Sequence, residues 1–413
     1  MKNTSLKAEQ KQYFILSALL FSLFFFILPR SGFYSDLKCF SNWATYSSQH
    51  GIGNIYDSDS DYLPLYQYIL FLFGKFIHIP EKIELYNYNL KLITLPFHFI
   101  SGYFIFRLIR NYYPNSEAAL YRTLFYLINF VVLYNTLVWG QTDDILTCFV
   151  FGSFYFAYIK KIFPSLLAIL LALNFKLQGI VFIPLIGLML LPEIISRFSW
   201  RNLLLLTLPL IATQFLILMP FILSGTVHKV WFVVRHSVDH FPVVSMNAYN
   251  MWEFLLPPSL EGTLDNIQFL GISYKTWGLV TFSSLSFLSL LPLIKVVIRK
   301  IKRLPHEEVL LQKLVIIAAL CSLLFFYCNT QMHERYSHPA LIFLILYGIL
   351  SKSTLPVVFG CAAYFLNVDG VLRSIPFQHY GVFIYSRSFV ASLYLITILL
   401  LFAALYNVQI FKK

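Results

Sequence analysis

Long apolar runs broken by short polar and basic segments dominate this chain. A helix crosses a hydrocarbon core with roughly 17–25 mostly apolar residues. Twelve helices are expected on this basis, at 12–29, 91–110, 118–138, 143–161, 162–175, 178–196, 202–223, 276–298, 309–328, 336–350, 354–368 and 388–410, the fifth, tenth and eleventh of them short. A further run, from Tyr62 to Ile77, is rich in Tyr and Phe and is expected to lie in the interface as an amphipathic helix. If it crossed, Arg107, Arg110, Arg122, Lys160 and Lys161 would fall on the outer side. If it does not, every later basic cluster falls inside, as basic loops do. With that arrangement the inner side holds 19 Lys and Arg against 5 Asp and Glu, and the outer side 12 against 14. Both termini are then cytoplasmic.

Composition agrees with this pattern. Of 413 residues, 58% are hydrophobic and only 12% charged, which excludes a soluble globular chain and describes an all-α polytopic membrane protein. The net charge of +12 is a consequence of topology and calls for no nucleic acid. The run Tyr13–Leu28 is followed by Pro29-Arg30 and not by a small-residue cleavage site, so it is expected to stay as an anchored helix. Five scattered cysteines form no paired spacing, neither a metal motif nor a disulfide framework. The whole chain, 1–413, reads as one transmembrane domain. It comprises an N-terminal module at 12–223 with a long first loop at 30–90, a large outer loop at 224–275, and C-terminal helices at 276–413.

The unusual polar residues all fall on the expected outer side. Asp36 follows the first helix. Asp61 and Tyr62 precede the interfacial helix. Trp139, Gln141, Asp143 and Asp144 sit at the junction of the third and fourth helices, and Lys176 at that of the fifth and sixth. Asn247, Asn250 and Trp252 belong to the second large loop, and His333, Glu334 and Arg335 cap the outer end of the tenth helix. Charged groups at a membrane margin face a cavity or one another. Acids there can accept a proton from a hydroxyl, and Lys and Arg can hold a phosphate. Each group also has a plainer use. Lys176 can snorkel to the interface, His333-Glu334-Arg335 can pair locally, and one of Asp143 and Asp144 is expected only to cap a helix. Asn and Trp of the second loop can seat a loop helix. The triplet Asp57-Ser58-Asp59-Ser60-Asp61 lacks the glycine and distal Glu of a calcium loop.

Together, Asp36, Asp61-Tyr62-Leu63-Pro64-Leu65, Trp139-Gly140-Gln141-Thr142-Asp143, Lys176-Leu177-Gln178, Asn247-Ala248-Tyr249-Asn250-Met251-Trp252 and Met332-His333-Glu334-Arg335-Tyr336 resemble the GT-C superfamily of membrane glycosyltransferases. The nearest likeness is to the bacterial group related to GPI mannosyltransferases, over about residues 12 to 350. The resemblance implies a GT-C-like helix bundle with amphipathic helices in the first extracytoplasmic loop. It implies Asp36 as catalytic base with Asp143 beside it. Lys176, Arg335 and His333 would then bind a donor phosphate. Asp61, Tyr62, Trp139, Gln141, Asn247, Asn250, Trp252 and Glu334 would line the substrate. Leu63 stands where the family has the first of two prolines, so the local turn differs. The donor implied is a polyprenyl-phosphate-linked sugar, with mannose the sugar that the likeness favours. No metal or other cofactor is expected, and partners would be membrane lipids and a glycan, lipid or protein acceptor.

The expected activity is therefore an inverting transfer at the outer face of the cytoplasmic membrane. Two rivals remain open. A lipid-linked-sugar flippase would show internal repeats and charges near the bilayer midplane, neither of which the chain displays. A polymerase or ligase with a diphosphate donor would carry more arginines on its outer loops.

Overall fold

In the computed structural model, residues 2–113, 118–237, 239–256, 260, 262–375 and 379–407 are described. The chain is 76% helical and nearly free of sheet. Among the described residues, seven helices are long and apolar enough to cross a membrane: Asn87–Tyr112, Leu177–Ser196, Trp200–Leu223, Tyr274–Ile301, Leu311–Cys328, Leu355–Leu372 and Arg387–Leu405. The last of these ends before the expected 410, and residues 408–413 lie outside the described part. Burial separates the seven. The most apolar stretch of Leu311–Cys328 is 83% buried, at the centre of the bundle, while that of Trp200–Leu223 is only 6% buried. A helix that apolar and that uncovered needs an apolar solvent.

Of the remaining expected spans, one is broken and the others form helices whose apolar part is short, those at 162–175 and 336–350 lying close to their expected bounds. Lys2–Phe26 is one helix, but its polar residues extend through Gln12, which leaves a short apolar part. The expected helix at 118–138 is broken into Ala119–Leu127, Phe130–Leu133 and a π-helical turn at Tyr134–Trp139. Asn129 breaks it, since its side chain accepts from the amides of Val131 and Val132 and so starts a new helix. Asp143–Tyr158, Ile162–Phe175 and His338–Ser351 have 16, 14 and 14 residues. At about 1.5 Å per residue they are shorter than a typical hydrocarbon core. Residues 62–77 do form a helix, Pro64–Ile77, with proline at its first turn.

The loops of the two halves are tied together. A parallel pair joins Ser245–Met246 to Met332–His333. Asp57 is paired with Lys229, and Asp61 lies 3.8 Å from His240. Deeper in, Asp144 binds three separate segments. His338 Nε2 is 3.0 Å from its Oδ1, the Thr136 hydroxyl donates to its Oδ2 at 3.0 Å, and His98 Nδ1 is 3.5 Å away. Its side chain is fully buried, so removing one partner leaves an unmet charge or dipole. Asp144→Ala is expected to destabilise the fold by about 3–5 kcal/mol. Thermal unfolding in detergent checks this, and an unchanged midpoint contradicts it.

Candidate functional site

Asp36 lies in the first turn of Tyr34–His50, half-buried, with its carboxylate turned towards the bundle. Trp139 Nε1 donates to its Oδ2 at 2.8 Å, and Gln141 Nε2 donates to the same oxygen at 2.5 Å. Trp139 and Gln141 are both fully buried, so what they present is a fixed pair of donors. The chain can bring them there because the π-helical turn ends at Gly140, whose φ of 93° belongs to the left-handed region. The Gln141 carbonyl oxygen in turn accepts from the Tyr62 hydroxyl at 3.3 Å.

The same two aromatic rings carry the cations. The Arg335 guanidinium sits over the Trp139 ring, 5.6 Å from its centre, and the Lys176 ammonium over the Tyr62 ring at 5.3 Å. Each ring thus meets the Asp36 side with its polar edge and a cation with its face. Lys176 Nζ also donates to Asp143 Oδ1 at 2.5 Å, and Arg335 Nε is 3.9 Å from Asp143 Oδ2. Arg335 holds Glu334 at 2.5 Å. One ammonium offers three donors and one guanidinium five, so both retain N–H groups beyond these partners.

The adjacent acids divide the work of the Asp143–Tyr158 helix. Asp143 faces Lys176, Arg335 and Asn135, whose Nδ2 donates to it at 3.1 Å. Asp144, about 100° further round the helix, faces the two histidines. A chain of hydrogen bonds connects them: Asn135 Nδ2 to the Tyr364 hydroxyl at 2.9 Å, and that hydroxyl to His338 Nδ1 at 2.9 Å. Nothing in the sequence pattern singles out Asn135, Tyr364, His98 or His338, all of which sit on apolar helices or in a broken turn. Lys91 is equally inconspicuous. It opens an apolar helix, yet its ammonium is buried against the backbone carbonyls of Pro29, Ser31 and Leu137.

Other candidates are placed elsewhere or in other roles. Asn250 Nδ2 donates to the carbonyls of Phe326 and Asn329, and Trp252 Nε1 to that of Asn329. Both are buried and staple the second large loop to the end of Leu311–Cys328. Asn247 lies beside His333 in an isolated bridge, with φ 61°. Asp61 is half-exposed, next to His240. Glu334 is buried, and burial raises its carboxyl above the ordinary value although Arg335 opposes the shift. His333 is held down to about 3 by burial, with Arg335 and Lys176 adding to the effect. It is therefore neutral at physiological pH.

Among the described residues, no group of three His, Cys, Asp or Glu side chains is arranged to hold a metal ion. No protein-family model matches the chain, and no curated protein matches it.

The depressed His333 value has a measurable consequence. Unfolded, the ring takes a proton below about 6.5; folded, it does so only near 3. The stability associated with the neutral ring is complete above 6.5 and is lost as pH falls towards 3. At pH 5 the loss is about 2 kcal/mol. His333→Gln should therefore lose less thermal stability than the wild type between pH 7 and pH 5. Equal losses in the two proteins would contradict the neutral assignment.

Proposed function

We propose that the protein is a glycosyltransferase that uses a polyprenyl-phosphate-linked sugar, mannose by preference, and transfers it with inversion to a hydroxyl acceptor at the extracytoplasmic face of the cytoplasmic membrane. One observation carries the reading. A half-exposed carboxylate, Asp36, is held by two buried donors, Trp139 and Gln141, and two cations, Arg335 and Lys176, lie respectively over the Trp139 ring and over the ring of Tyr62, which bonds to Gln141. General-base chemistry needs a fixed acceptor of the hydroxyl proton. Departure of a phosphate needs positive charge where negative charge develops.

In the reaction, the acceptor oxygen forms a bond to the anomeric carbon while the bond from that carbon to the phosphate oxygen breaks. The hydroxyl proton goes to Asp36, and the electron pair leaves with the polyprenyl phosphate. Base and leaving group stand on opposite faces of the sugar, which inverts the anomeric centre. Lys176 and Arg335 would hold the phosphate through the N–H groups that Asp143 and Glu334 leave unused. Asp143 then serves to orient both cations, and His333 to donate one uncharged hydrogen bond. The exposed apolar faces of Trp200–Leu223 and Tyr274–Ile301 suit contact with lipid tails, the donor's among them.

The test is transfer of radiolabelled sugar from synthetic polyprenyl-phosphate-mannose and polyprenyl-phosphate-glucose to membrane extracts by purified protein, with EDTA throughout. Label is expected to reach an acceptor from at least one of the two. Lys176→Met and Arg335→Gln should each lower transfer by about 10²–10³-fold, as expected for loss of a group that stabilises developing charge. Transfer only from a diphosphate donor, or only with a divalent metal, would overturn the donor assignment. No transfer, with labelled lipid crossing the bilayer instead, would point to a flippase.

A further inference from the structure

We propose that Lys91 is a positioning residue for Asp36, acting as a buried clasp between the two chain segments whose side chains meet there. Lys91 is the second residue of Leu90–Tyr112 and is 1% exposed. Its ammonium donates to the carbonyls of Pro29 at 3.0 Å, Ser31 at 2.5 Å and Leu137 at 2.7 Å. Those three bonds use all three donors of the group. All three acceptors are backbone carbonyls, so what the charge secures is the course of the chain.

The carbonyls belong to the stretches that matter for the site. Pro29 and Ser31 lead into the turn that presents Asp36, and Leu137 lies two residues before Trp139. The clasp closes on a tight junction. Phe33 N–H donates to the Trp139 carbonyl at 2.7 Å, and Gly32 permits this, since a Cβ there would lie 2.6 Å from the same oxygen. On the other segment, a Cβ at Gly140 would meet Leu37 at 3.2 Å and the Lys91 stem at 3.3 Å. Two glycines let the segments approach, and one ammonium draws their carbonyls together. The Trp139 Nε1 to Asp36 bond lies just outside this junction and depends on its register.

The inference that Lys91 sets the reaction rate rests on Asp36 being the base. The inference that it sets the position of Asp36 does not, and the experiment separates the two. The protein has six tryptophans. With ¹⁵N-labelled indoles, the Trp139 resonance is assigned by its disappearance in Trp139→Phe. Its bond to a carboxylate gives it a characteristic proton shift, and Asp36→Ala marks where it falls when that bond is lost. In Lys91→Met the Trp139 resonance should move to the Asp36→Ala position while the other five stay in place, and transfer should fall about 10²-fold, the scale of a 1 Å misplacement, with donor KM nearly unchanged. An unmoved Trp139 resonance in folded Lys91→Met would overturn the proposal. If Lys91→Met does not accumulate, Lys91→Arg answers the same question. The planar guanidinium cannot direct three donors at one converging set of carbonyls beside Gly140, so the resonance should again move, and an unmoved one overturns the proposal. A shifted resonance in a protein whose wild type transfers no sugar would sustain the clasp and refute the base.

Discussion

A carboxylate withdrawn from water must be met by donors, and a cation by acceptors or π faces. Around Asp36 one pair of aromatic rings satisfies both requirements. Trp139 gives its N–H to Asp36 and its face to Arg335. Tyr62 gives its hydroxyl to Gln141, which holds Asp36, and its face to Lys176. Acid and cations are therefore placed relative to each other by two rigid plates rather than by direct pairing, which would cancel their charges. Asp143 and Glu334 hold the cations in position from the other side. The first loop, the turn at 134–142, the 176 junction and the 333–335 segment all depend on this arrangement.

The plates stay in place because the structure beneath them is dense. Asp144 ties the helices carrying His98 and His338 to the turn that carries Thr136. The Tyr364 hydroxyl and Asn135 extend that network to Asp143. Of the two neighbouring acids, Asp144 thus serves a framework joining distant helices, and Asp143 a buried cluster with Lys176 and Arg335. That division follows from the 100° step between consecutive helix residues.

Much of the site was legible in the sequence because membrane topology restricts where charge can go. Asp36, Tyr62, Trp139, Gln141, Asp143, Lys176, Glu334 and Arg335 lie far apart in the chain, and the structure brings them together. The expectation that one of Asp143 and Asp144 would be structural could not say which, since the answer depends on His98 and His338, which lie on other helices. Asn250 and Trp252 read equally well as ligand contacts or loop staples, and only their partners at 326 and 329 show the stapling. The broken helix at 118–138 was hidden because Asn129 interrupts an apolar run without proline or glycine. Lys91 was hidden because its partners are backbone carbonyls, which carry no residue-specific signal. The helix count was the least readable feature, since several helices here are shorter than a bilayer core and their lengths follow from packing.

If Asp36 is the base of a sugar transfer, its two donors hold it for that purpose and the cations across the rings receive the departing phosphate. The most direct measurement is the single-turnover rate of sugar transfer by wild type and by Asp36→Asn, with donor binding measured on the same preparations. Asp36→Asn is expected to be slower by about 10²–10⁴-fold, the usual contribution of a general base, with donor affinity retained because Arg335 and Lys176 are untouched. An Asp36→Asn protein that binds donor and transfers sugar at the wild-type rate would contradict the assignment of Asp36 as base.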